Sequence, residues 1–198
     1  INNFPIQMGE NSEYPLRERI DLLFAFILEK YGGVCLSPAT IVSNIDELIY
    51  QSGINDIVTV GSSPEIIGYS SDKMNPNTYV IGGKKGSPFL KLYKQTLLKN
   101  YTQKNKQLEY TKSYGVLSSL LKYKRPRQVH FPDGTYDDSL KKIDLSVFLS
   151  KTNKEYKNYS HLISLPYEEL FEKKYIWFLN LSKQELLSSN ILISNYLI

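Results

Sequence analysis

The residues best able to do chemistry are a few acids, two histidines and a lysine-rich glycine turn. Asp21 sits in a run where Leu16, Ile20, Leu23, Phe24, Ile27 and Leu28 recur at helical spacing, so it falls on the core-facing side of a helix. An acid in that position must be paired or functional, because an unpaired buried carboxylate is costly. Asp133-Gly134-Thr135-Tyr136-Asp137-Asp138 places three acids in one loop. Such a loop offers oxygen ligands for a hard cation or a base, but it lacks the ligand order of a calcium loop and reads as a solvated turn. His130 and His161 are the only histidines; one or both reads as simply packed or exposed. Gly82-Gly83-Lys84-Lys85-Gly86 offers backbone N–H groups to a phosphate, yet lacks the Gly-Lys-Ser/Thr ending of a P-loop and serves equally as a turn between elements. There is no nucleophile elbow, no paired catalytic cysteine and histidine, and no His-Glu-x-x-His, so hydrolase and protease chemistry has no positive support.

The elements that must position these residues alternate between strand and helix. Pro15 opens a helix over 16–30, and Gly32-Gly33 ends it with residues that tolerate a left-handed cap. Val34-Cys35-Leu36 is a short buried strand, and a second helix covers 44–51. Strands follow at 57–60 and 65–69 with a turn between them, then a loop over 70–76 and a strand at 78–81. Ser87 caps a helix that begins at Pro88 and runs to about residue 100. Beyond it the pattern predicts a helix at 114–123, a strand at 128–131, a turn at 132–135 and a short strand within 139–149. Helices are expected at 167–174 and 183–188, and a strand at 175–179. Interleaved strands and helices indicate an α/β layered fold, and no internal repeat or linker divides the chain into more than one domain.

Composition narrows the class further. With 198 residues, 41% hydrophobic and 22% charged, the chain is long enough and apolar enough to bury a core rather than stay disordered. Lys and Arg exceed Asp and Glu by 24 to 20, a mild positive balance that helps encounters with phosphate without demonstrating one. The cations at Lys84, Lys85, Lys91, Lys94, Lys122, Lys124, Arg125 and Arg127 read as solvated faces, so no nucleic-acid site is assigned. The lone Cys35 cannot form an internal disulfide and reads as a small buried hydrophobe, compatible with a reducing compartment. No apolar run is long enough to span a membrane, and no signal-peptide pattern follows Ile1. Sixteen tyrosines with abundant Lys, Asn and Ile suggest an AT-rich genome, of the kind found in bacteria, protists and large DNA viruses.

Two stretches carry a resemblance to a family. Residues Asp21-Leu22-Leu23 through Tyr31-Gly32-Gly33-Val34-Cys35-Leu36, and Asn77-Thr78-Tyr79-Val80-Ile81-Gly82-Gly83 through Ser87-Pro88-Phe89-Leu90, are similar to the sugar-nucleotide core of capsular-polysaccharide-synthesis and initiation-mannosyltransferase-like glycosyltransferases. The resemblance covers about residues 15–99. It implies a GT-A-like, Rossmann-related layered mixed sheet with flanking helices, lacking the N-terminal part that forms half of the nucleotide site. It also implies substrate-binding roles for Asp21, Gly32, Gly33, Ser37 and Thr40, with His161 as a late histidine near metal or phosphate. Where the family carries Asp-x-Asp, this chain has Ser37-Pro38-Ala39-Thr40, and where the family carries an arginine it has Phe24. Neutral hydroxyls do not replace the carboxylates that hold magnesium or manganese, so no metal cofactor is expected unless the site survives in altered form. The expectation is a glycosyltransferase-like protein without transfer activity, its fold kept as a structural or interaction scaffold with protein partners, for example in the virion of a large DNA virus. The alternative is an active, metal-independent glycosyltransferase acting on a nucleotide-sugar.

Overall fold

In the computed structural model, the residues described are 15–62, 66–69, 74–102, 113–137, 139–151 and 162–197. Helix α1 (Leu16–Tyr31) begins directly after Pro15 and buries Asp21, Leu22, Ala25 and Leu28 along one side. It stops at Gly32, whose N–H donates to the Leu28 carbonyl at 2.8 Å. Gly32 has φ +70°, and a side chain there would collide with the Lys85 backbone, so conformation and close packing both require glycine. Strands β1 (Gly33–Leu36) and β2 (Thr40–Val42) follow, then α2 (Ile45–Ile54), β3 (Ile57–Ser62), β4 (Ile66–Gly68) and β5 (Asn75–Gly83). Helices α3 (Pro88–Thr102) and α4 (Ser113–Lys124) precede β6 (Gln128–Pro132). As predicted, Ser87 caps α3: its Oγ accepts from the Leu90 N–H at 3.3 Å.

Five strands form a mixed sheet in the order β1-β5-β3-β6-β4, in which β3 and β6 run parallel and the other neighbours antiparallel. Every residue of β3 is buried, as a strand covered on both faces must be. Period-two alternation divides its neighbours between two cores. Ile57, Ile81 and Cys35 pack under α1, α3 and α4, whereas Val58, Val60, Val80 and Val129 face Leu48 of α2 and Leu162. This is a mixed α/β architecture with flanking helices.

The strand at 78–81 extends further than its sequence pattern suggests. Pro76 lies inside β5 opposite Gly61, and a proline is tolerated because β1 covers only the later part of β5, through Val80. Opposite the Thr59/Val60 step the register jumps from Ile81 to Asn77, so 78–80 arch out of the β3 ladder.

The last third of the chain departs most from expectation. Strand β7 (Leu162–Ser164) pairs with β2 in a separate antiparallel ribbon. Around it lie α5 (Leu145–Phe148), α6 (Tyr167–Leu170), α7 (Ile176–Leu179), α8 (Lys183–Ser188) and a 3-10 helix over Leu192–Tyr196. The strand expected within 139–149 is instead α5, capped by the Asp144 carboxylate on the Ser146 N–H at 2.8 Å, preceded by a single bridge between Tyr136 and Lys142. The strand expected at 175–179 is α7. Its aromatic and β-branched residues meet no strand edge, and backbone bonds from Phe178 N to Tyr175 O and from Asn180 N to Trp177 O close the chain locally. Leu145, Phe148, Leu170, Ile191 and Ile193 form a core of their own, joined to the rest of the chain by Ala39 and Ile41.

His130 is fully buried on β6, with Nδ1 hydrogen-bonded to the Thr59 hydroxyl at 2.8 Å and Nε2 without a partner among the described residues. Burial pushes its pKa down to about 4 from an ordinary 6.5. The folded chain therefore holds the ring neutral while the unfolded chain protonates it near 6.5. Its stabilising contribution is full above pH 6.5 and is lost as pH falls towards 4, by about 3 kcal/mol. Urea unfolding between those values should show this slope, and His130→Gln should flatten it; an unchanged slope in the variant would overturn the assignment.

Candidate functional site

Parallel strands direct their backbone ends the same way, and ligands of such sheets favour the carboxyl ends. Here β3 and β6 both finish beside a cavity of about 520 Å³. Its walls come from the start of α1 (Arg17, Glu18, Asp21), the first half of β5 (Asn75, Asn77, Tyr79) and the turn after β6 (Thr135, Tyr136). Lys142, Ser164 at the end of β7 and Glu168 of α6 complete it. The volume falls within the range of about 300–1,000 Å³ that takes small-molecule ligands.

Arg17 ties the walls together. One Nη1 donates to the Tyr79 hydroxyl at 2.6 Å and to Glu168 Oε1 at 2.8 Å, and Nη2 donates to Thr78 Oγ1 at 3.1 Å. Its Nε lies 3.9 Å from the Asp21 carboxylate, one helical turn on. Burial works against the guanidinium charge, but Tyr79, Asp21 and Glu168 outweigh it and hold the group more firmly protonated than usual. The Tyr79 hydroxyl donates to Glu168 Oε2 at 3.1 Å, and burial raises its pKa above the ordinary phenol value. The arch at 78–80 is what brings Thr78 and Tyr79 within reach of α1.

Asp133 lies behind the lining and bonds to three of its residues, Asn77, Thr135 and Ser164. It is 2% exposed, so the solvated turn expected here is wrong for this residue. Oδ1 accepts from the N–H and the hydroxyl of Thr135, each at 2.9 Å, and from the Ser164 N–H at 3.1 Å, while Oδ2 accepts from Asn77 Nδ2 at 2.8 Å. Burial raises its pKa and these hydrogen bonds oppose the rise. A single side chain thereby joins the end of β6, the start of β5 and the end of β7. Asp137, in the same loop, instead folds onto Ser139 and the Lys141 N–H.

The residues singled out from sequence separate into groups. Asp21 is buried and lines the cavity. Gly32 and Gly33 lie at the opposite end of α1, about 16 Å along the helix from Asp21, and serve its termination rather than the cavity. Ser37 and Thr40 hydrogen-bond to each other at 2.8 Å, Ser37 is 4% exposed, and neither lines the cavity. Thr40 pairs with Ser164 in the ribbon, so this hydroxyl pair lies behind the wall. His161 lies outside the described residues. Cys35 is buried and its thiol is pushed up to about 11 by burial, which keeps it from being a nucleophile at neutral pH. Sequence reasoning missed Arg17, Tyr79 and Glu168, whose contacts span 62 to 151 positions. The one local signal was Arg17 four residues before Asp21.

A divalent cation does not fit the position that the resemblance assigns to it. Ser37 and Thr40 satisfy each other, Pro38 and Ala39 bring no side-chain oxygen, and among the described residues no three His, Cys, Asp or Glu side chains group to hold a metal ion. No protein-family model, curated protein or solved structure matches this chain.

The Asp133 junction makes a stability test of the site's construction. Replacing Asp133 with Ala strands the amides of Thr135 and Ser164 in a buried setting and should cost about 3 kcal/mol of unfolding free energy by chemical denaturation. Asp137→Ala should cost much less. Equal losses would mean that Asp133 does not carry the junction.

Proposed function

We propose that the protein is a glycosyltransferase-like, GT-A-related chain that has given up sugar transfer and binds a neutral carbohydrate in the cavity beside Asp21. The charge of the cavity carries this reading. Three acids, Glu18, Asp21 and Glu168, line it against two cations, Arg17 and Lys142. Both cations are already engaged, Arg17 with Glu168 at 2.8 Å and Lys142 with Glu169 at 3.6 Å. A sugar-nucleotide diphosphate brings concentrated negative charge, for which this lining, its cations already paired with acids, offers no uncommitted positive group and, among the described residues, no cluster of metal-binding side chains. Carboxylates, amides and phenols are the acceptors and donors that recognise hydroxyl groups, and Tyr136 adds a ring to the lining for sugar C–H groups, whereas the Tyr79 ring is covered by the Arg17 guanidinium.

The resemblance around Asp21 and Asn77 supports descent from the glycosyltransferases, and the hydroxyl pair at Ser37 and Thr40 supports the loss of their metal-dependent step. A scaffold role with protein partners draws on a different observation: Ile67 and Tyr69, in and just after the edge strand β4, are 70% and 73% exposed.

Titration calorimetry against a panel of neutral mono- and disaccharides, and against UDP- and GDP-sugars with and without manganese, decides between these readings. Saturable binding of a neutral sugar, indifferent to manganese and weakened about tenfold or more by Asp21→Ala, is the expected result. Tighter, manganese-dependent binding of a nucleotide-sugar would restore the transferase reading. No binding to any sugar would leave the scaffold role.

A further inference from the structure

The end of the sheet remote from the cavity gathers positive charge from elements far apart in sequence. Asp56, at the start of β3, organises it. Its carboxylate accepts from the Lys84 ammonium at 2.9 Å through one oxygen and from the Arg127 N–H at 3.2 Å through the other. This places the turn after β5 beside the loop between α4 and β6. The turn presents exposed Lys85, the end of α4 exposed Lys124, and the loop exposed Arg125 and Arg127. Lys122 is also exposed on the last turn of α4. Two large phenols accompany them: Tyr123 is 78% exposed, and Tyr31, 63% exposed, precedes Gly32, which packs on the Lys85 backbone.

Helix electrostatics accounts for only part of this cluster. Cations in the last turn of α4 complement the helix dipole, but Arg125, Arg127, Lys84 and Lys85 lie outside any helix. Asp56, the carboxylate at the junction, is committed to Lys84. The neutral polar side chains there are turned inward. Asn55 and Ser87 are buried, with Asn55 Nδ2 donating to Gln51 and Ser87 Oγ donating to the Asp56 carbonyl. Among the described residues, what faces solvent there is cationic groups and phenol rings, without the exposed amides that read base edges.

We infer that this pole is a docking surface for an anionic lipid bilayer. Clustered Lys and Arg are attracted to acidic headgroups, and tyrosine rings settle at the membrane–water boundary. The occupant of the cavity does not enter this inference. The cavity lies at the other end of β5 and α1, about 20 Å away along the helix, and shares no lining residue with this pole.

Co-sedimentation of the full chain with phosphatidylcholine vesicles, with and without phosphatidylserine, tests it. The protein should pellet with the acidic vesicles alone, and less so as salt rises. Each cation removed should weaken partitioning about fivefold, so Lys85→Gln/Lys124→Gln/Arg127→Gln together should weaken it about a hundredfold. The charge-conserving triple Lys85→Arg/Lys124→Arg/Arg127→Lys should retain binding, as should Lys183→Gln on a distant helix. Equal pelleting with neutral vesicles, none with acidic vesicles at low salt, or full binding by the glutamine triple would each overturn the inference. So would displacement from acidic vesicles by a single-stranded oligonucleotide at equal phosphate concentration, which would assign the pole to nucleic acid.

Discussion

One guanidinium determines where the described parts of this chain can meet. Arg17 contacts Asp21 on its own helix, Thr78 and Tyr79 on the longest strand, and Glu168 in the last third of the chain. Arginine suits this task because its planar group offers five donors in a fixed fork, so satisfying several partners at once fixes their mutual orientation. The energy of such a partly exposed pair is modest, about 0–1 kcal/mol. Its importance is geometric. Apolar packing brings α1 onto the sheet through Leu22, Ala25 and Leu28, but apolar contact alone leaves the helix free to slide, and the Arg17 contacts specify one setting.

Around that node the buried polar groups divide the work. Asp133 accepts four hydrogen bonds and so absorbs donors that three strand ends would otherwise leave exposed to a dry interior. The pair of Ser37 and Thr40 satisfies itself and asks nothing of a ligand. In a cation-dependent site the corresponding groups would be charged, mutually repelling and stable only with metal present. The arrangement at that point is self-sufficient, and the cavity is lined by other residues, Arg17, Asp21, Asn77 and Glu168 among them.

Much of the first half was legible because its signals are local. The helical period after Pro15, the Gly32-Gly33 stop, and Ser87-Pro88 at the start of α3 each act within a few residues, although the buried side of α1 is Leu22, Ala25 and Leu28, and Leu16 and Ile27, read as core-facing, are exposed. The later segments were harder. Tyr175 to Leu179 has strand-like residues, yet a strand exists only if a partner edge is available, and among the described residues none pairs with it. Pro76 looked like a loop residue since nothing local reveals that the neighbouring strand stops short of it. In the site, Asp21 was readable as an acid on an apolar helix face. Asp133 was misread as exposed because its partners, Asn77 and Ser164, are 56 and 31 positions away.

The cavity lies along a seam. One side belongs to α1 and β5, built on the sheet core; the other belongs to Ser164 and Glu168, rooted in the separate core of Leu145, Phe148 and Ile193. Among the described residues, Arg17 and Tyr79 bond to Glu168 and Ser164 bonds to Asp133 across the seam, alongside the backbone pairing of β2 with β7. A molecule held between the two sides would therefore act as a latch. It would favour the docked arrangement over any in which the C-terminal third swings clear, and the free energy of that preference is its binding free energy. Occupancy would then be felt throughout the chain as a change in cooperativity, adding to the β2–β7 pairing that already couples the two cores.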